Sequence, residues 1–181
     1  GSVTLLGDEV INEGLIVAEL GRVDLASGSA ATLTFDADGL IGLEVNQSAL
    51  GTLGGENAVL NSGTIDAAGG QILLTADAAK DLFDRAVNNE GILRATTAQE
   101  VNGEIVLMST GDTFTSGELV ATNDAGEGGS VQVLGDRVAV TGGTIDVSGT
   151  ESGGEILVGG DFQGQGETPT AARTYVGPEA E

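Results

Sequence analysis

The chain contains no cysteine, no histidine and no tryptophan among its 181 residues, only two prolines, and aromatics at 3%. Without thiolate or imidazole there is no Cys/His metal centre, no Cys-His or Ser-His-Asp catalysis and no disulfide. Stability must come from packing and hydrogen bonds. Basic residues are equally scarce: Arg22, Lys80, Arg85, Arg94, Arg137 and Arg173 face 28 acidic ones, for a formal net charge of −22. Nucleic acid and anionic membrane surfaces would be repelled. The simple reading of the acidity is solubility and resistance to self-association. No apolar run approaches the roughly 18 residues of a membrane span, and no signal peptide is visible. Gly1 and Ser2 read as a cloning scar.

Glycine, at 31 residues, is abundant, and the apolar residues between are ordered. Val3 and Leu5, Val23 and Leu25, Ile105 and Leu107, and Val131 and Val133 alternate with other residues, the period of a strand. A turn-plus-strand unit recurs about every 25 residues around glycines 14, 39, 63, 91, 117 and 143. Two residues after each comes Ile16, Ile41, Ile65, Leu93, Leu119 or Ile145; four residues after comes Ala18, Leu43, Ala67, Ala95, Ala121 or Val147. A second unit, Gly-x-Val/Ile-x-Leu/Val, precedes most copies, as in Gly103–Leu107 and Gly129–Val133.

An apolar residue four before the glycine (Val10, Phe35, Val59, Val87) brings each period to about three short strands, a unit that cannot bury its own inner face although stacked copies can. The expected fold is all-β: a right-handed parallel β-helix of about seven coils over residues 3–163, with like residues in columns. Residues 164–181, which hold both prolines, read as an extended loop or the start of a truncated coil. Between Gly70 and Gly103 the period lengthens. Residues 77–87 have helical apolar spacing with Asp77 as N-cap, predicting a short extra-helical helix whose Leu82 and Phe83 pack on the flank. A docking knob is the alternative reading of the same segment.

Catalytic signatures are absent: no Gly-x-Ser-x-Gly elbow, no P-loop and no Gly-x-Gly-x-x-Gly after a strand. Tyr175 is the one tyrosine, and the scattered bases offer no grip on an acidic sugar, against a polysaccharide-degrading β-helix. Asp36, Asp38 and Gly39 resemble the opening of a calcium loop but lack its remaining ligands, so they read as a turn. Neither cofactor nor metal is expected. Asn12, Asn61 and Asn89 recur at equivalent turns and should stack as a side-chain ladder. Asn46, Gln47 and Ser48 form an N-glycosylation triplet of the kind chance supplies.

The coils Gly103-Glu104-Ile105-Val106-Leu107 and Gly129-Ser130-Val131-Gln132-Val133, the Asn-x-Gly-x-Ile-x-Ala units, Gly39 through Asn46, and Gly159 through Gly164 followed by Arg173-Thr174-Tyr175-Val176 resemble filamentous haemagglutinin-like exoproteins. The resemblance implies a secreted or surface protein of Gram-negative bacteria, exported by a two-partner outer-membrane transporter. It implies a non-catalytic shaft segment of an adhesin or toxin-presenting stick. A glycan- or receptor-binding module on one face is the alternative. The receptor is not encoded in any motif.

Overall fold

The computed structural model describes residues 1–35, 41–49, 55–77, 83–97, 103–166 and 168–181. The first coil is β1 (Ser2–Gly7), β2 (Val10–Asn12) and β3 (Leu15–Val17). The second is β4 (Arg22–Ser27), an inserted pair β5 (Ala30–Phe35) and β6 (Ile41–Gln47), then β7 (Gly55–Asn61) and β8 (Thr64–Asp66). The third is β9 (Gln71–Ala76), β10 (Phe83–Asn89) and β11 (Ile92–Arg94). The fourth is β12 (Glu104–Ser109), β13 (Asp112–Thr115) and β14 (Glu118–Val120), and the fifth β15 (Ser130–Leu134), β16 (Arg137–Gly143) and β17 (Ile145–Asp146). The sixth holds β18 (Glu155–Val158) and β19 (Arg173–Ala180).

Strands of successive coils pair in parallel, giving three sheets. Sheet A runs β1-β4-β9-β12-β15-β18, sheet B β2-β7-β10-β13-β16-β19 and sheet C β3-β8-β11-β14-β17. This is a parallel β-helix. Five strand spacings along sheet A make a rod of about 24 Å.

Register stacks like upon like. In sheet A, Val23, Ile72, Ile105 and Val131 form one column and Leu25, Leu74, Leu107 and Val133 the next, all essentially without solvent contact. In sheet C, Ile16, Ile65, Leu93, Leu119 and Ile145 lie in direct register. The small column beside them is Ala18, Ala67, Ala95, Ala121 and Val147, all buried. Alternation of side chains across each strand sends these columns into one shared interior, where burying a large aliphatic side chain is worth about 1.5–3 kcal/mol.

Glycine at the corner between sheets B and C is a packing requirement. A Cβ on Gly91 would lie 2.0 Å from the carbonyl oxygen of Gly63. Gly143, at φ +79, combines the same crowding (2.1 Å from the Gly117 carbonyl oxygen) with a left-handed backbone.

Three expectations are corrected. Ile41 is not in the Ile/Leu column: it sits in β6, opposite Phe35 of an antiparallel β5–β6 pair, and Ile16 neighbours Ile65 directly. The matching glycine spacing at Gly39 does not mark a coil, so the helix has six coils along sheet A rather than about seven. Second, the segment expected to be helical is strand from Phe83 onward, because its backbone pairs with both β7 and β13 and Val87 stacks between Val59 and Thr113. Residues 78–82, with Leu82, lie outside the described residues, as does the side chain of Phe83. Third, of the two alternatives for residues 164–181, loop gives way over 173–180 to coil strand: β19 pairs in parallel with β16. Pro178 is accommodated because β19 is an outermost strand and the register shifts opposite it, between Val140 and Gly142.

Candidate functional site

The singled-out asparagines occupy the corner between sheets B and C, and the structure joins them. The Asn12 Nδ2 donates to Asn61 Oδ1 at 2.7 Å, the Asn61 Nδ2 to Asn89 Oδ1 at 2.8 Å, and the Asn89 Nδ2 reaches Thr115 Oγ1 at 3.4 Å. Each amide also reaches its own corner, to the carbonyls of Gly14, Gly63 and Gly91 at 3.3 Å. Asn61 and Asn89 have no solvent contact. A chain of amides satisfied on both sides can stay buried without the cost of an orphaned polar group. Of the other singled-out residues, Ile65, Leu93 and Leu119 are fully buried, and Ile16 and Ile145, towards the two ends, are partly covered. Asp36, Asp38 and Gly39 lie outside the described residues.

Chemistry on the outer face of sheet A went unsuspected from sequence. Asp24 points away from the aliphatic columns yet has no solvent contact. Its Oδ1 accepts from Arg22 Nε at 2.6 Å and its Oδ2 from Thr4 Oγ1 at 3.3 Å. Burial pushes the Asp24 carboxyl above its ordinary range, against the hydrogen bond and charge of Arg22 and the Thr4 hydroxyl. Arg22 Nη1 continues to Gln71 Oε1 at 2.9 Å, and Gln71 Nε2 to Glu104 Oε2 at 2.9 Å, so one polar row crosses β4, β9 and β12. Among the described residues no group of three or more carboxylates is placed to hold a metal ion.

Farther along the same face the structure builds a groove of about 560 Å³. One wall is β6, through Leu43, Glu44 and Val45; the other is the segment joining β18 to β19, through Pro169 and Thr170. The floor is apolar: Leu73 of β9, Met108 of β12 and Leu134 of β15. Leu134 is buried, while Met108 between the walls remains 38% exposed. Both walls are tied down. The Ser29 and Ala49 N–H groups donate to the carbonyls of Gln47 and Asp77, and the Ser48 hydroxyl to Asp77 Oδ1 at 3.1 Å. On the other side the Ala171 and Ala172 N–H groups donate to the carbonyls of Gly159 and Asp136. Three carboxylates stand in the lining, on Glu44, Asp77 and Asp136, and among the described residues no Lys or Arg does.

The only sequence signal for this groove was weak. Leu73 and Met108 occupy outward positions of the Gly-x-Ile-x-Leu strands, where a solvated face would carry polar residues.

The class that follows from these sheets is a parallel β-helix, stacked in coils and carrying an inserted β5–β6 pair. Over 99% of its length the chain is similar to the crystal structure of the HMW1 secretion domain from Haemophilus influenzae, at 30% sequence identity and a TM-score of 0.74. That domain belongs to a two-partner secretion adhesin related to filamentous haemagglutinin. The chain spans 45% of the HMW1 chain. No protein-family model and no curated protein sequence matches it.

Proposed function

We propose that the chain is a non-catalytic, β-helical structural segment of a secreted adhesin-type exoprotein, exported through a partner outer-membrane transporter. The observation that carries this reading is the likeness, over nearly the whole chain, to the secretion domain of a two-partner secretion adhesin. The interior supports it: aliphatic columns and an asparagine ladder fill the coil. Stacked parallel coils can also form one after another as a chain emerges, without a distant partner strand.

A second reading has its own support. The HMW1 structure is a secretion domain, which favours a part in export itself over a shaft that serves only as a spacer. One experiment separates the two. The exoprotein bearing this segment is expressed in a Gram-negative host with and without a two-partner transporter, alongside a variant lacking residues 3–181. Transporter-dependent appearance in the medium is expected for the intact protein. Loss of export on deletion identifies a secretion element; normal export of a shortened protein identifies a shaft. Export of the intact protein without the transporter refutes both.

A further inference from the structure

We propose that the groove on the outer face of sheet A is a docking site for an extended, cationic peptide segment of a partner protein, added as a strand along β6. Three observations carry this. Leu43, Glu44 and Val45 are consecutive, and consecutive residues of a strand point to opposite faces, so β6 borders the groove with its edge. The β5–β6 sheet has two strands, which leaves that second edge of β6 without a ladder partner among the described residues. An edge unpaired among the described residues, beside an apolar floor, is the geometry of strand addition, in which main-chain hydrogen bonds supply affinity and alternate side chains supply specificity.

The floor and rim then define the segment. Every second side chain would descend onto Met108, Leu73 and Leu134, and Met is suited to such a contact because its unbranched thioether adapts to what it meets. The intervening positions would face Glu44, Asp77 and Asp136, which favour Lys or Arg and repel an acidic chain. Among the described residues no aromatic ring lines the floor to stack on a sugar, and the carboxylates oppose acidic glycans. A peptide alternating apolar and basic residues fits both features.

The test uses the whole chain and a fluorescent probe peptide, Lys-Val-Lys-Leu-Lys-Val-Lys, read by anisotropy at low and high salt, with a Glu-for-Lys peptide and an acidic oligosaccharide as comparisons. The lysine peptide should bind and the other two should not. Because a chain of net charge −22 attracts any cation, the decisive variant is Met108→Asp. It adds attracting charge while spoiling the floor, so diffuse attraction predicts equal or tighter binding and the docking site predicts about tenfold weaker binding. Glu44→Lys should weaken binding severalfold, whereas Glu13→Lys, in the exposed turn between β2 and β3, should match the parent. Circular dichroism checks that each variant keeps its fold. Should Met108→Asp unfold, Met108→Gln, which removes the apolar contact without charge, must show the same loss. Equal binding of the lysine and glutamate peptides, capture of the oligosaccharide instead, or a Met108 variant that folds and binds like the parent would each overturn the proposal.

Discussion

Replacing Asn61 with Asp changes one NH₂ into an oxygen at the centre of the ladder and leaves the shape intact. The parent amide donates to Asn89 Oδ1 at 2.8 Å and to the Gly63 carbonyl at 3.3 Å, while its oxygen accepts from Asn12 at 2.7 Å. The variant keeps the acceptor and loses both donations. Two neutral hydrogen bonds are worth about 0.5–1.5 kcal/mol each, and the stranded Asn89 oxygen adds a desolvation penalty of about 1–3 kcal/mol. These losses come to about 2–6 kcal/mol, and an uncompensated carboxylate in a site without solvent contact puts the variant in the upper half of that range. For a chain of this size that is a midpoint fall of about 10 °C in thermal unfolding. The defect should also heal with acid, because a protonated carboxyl can donate to Asn89 again. Local opening is read by hydrogen exchange at Glu90 and Gly91, whose N–H groups donate to the Asn61 carbonyl. Asn61→Asp with parent stability at pH 7, or with a deficit that does not shrink towards pH 4, would refute the account of the ladder as a buried, donor-dependent element.

Leu119→Ala removes a fully buried side chain held between Leu93 and Ile145 in register, and should cost about 2–5 kcal/mol in denaturant unfolding. Gly91→Ala should prevent native folding rather than merely soften it, as shown by loss of strand circular dichroism, because the new methyl group would lie 2.0 Å from a backbone oxygen with no flexible side chain to give way. Asp24, its carboxyl raised by burial, titrates with the opposite sign to a salt-bridged surface acid: its stabilising contribution is full below the unfolded value and is lost as pH rises through the higher folded value. Asp24→Asn should therefore gain stability relative to the parent between about pH 4 and 7, and parallel unfolding curves for the two proteins across that range would show that Arg22 outweighs burial.

The coil was legible because its constraints are local and repeated. Gly91, Leu93 and Ala95 answer to Gly117, Leu119 and Ala121 at the same offsets, since the same corner, column and interior width recur. The hairpin was misread for the same reason. Residues 37–43 copy the offsets of a coil strand, and strand alternation is alike whether the partner is a coil neighbour or a hairpin arm. Pairing is a long-range property: Asn12 and Asn61 are 49 residues apart and adjacent, while Asn61 and Asn89 are separated by 28. The helical spacing around Phe83 lost to backbone pairing on both sides, which a short isolated helix could not match. The groove was illegible because its walls come from residues far apart in sequence, although the apolar outward positions Leu73 and Met108 were a hint.

The corners explain why the insertions gather where they do. Between sheets B and C the first four turns are a repeated pair, Glu13-Gly14, Ser62-Gly63, Glu90-Gly91 and Ser116-Gly117, closed by the asparagine ladder and, from Gly63 onward, by glycines that touch the coil before them. An extra residue there would break a stacked hydrogen bond and meet backbone within van der Waals distance. Among the described residues the corner after sheet A carries no such ladder. It is short after β1, β12 and β15, where β2, β13 and β16 begin within a few residues, and long after β4, β9 and β18. Two of the long excursions, the β5–β6 pair and the segment before β19, lie against the outer face of sheet A and form the two walls of the groove. A coil locked at the ladder corner leaves variation to its other turns, so new surface can accumulate on the flank after sheet A without disturbing the register of the core. The groove over Met108 is the surface that results, and its composition can change while every buried column stays as it is.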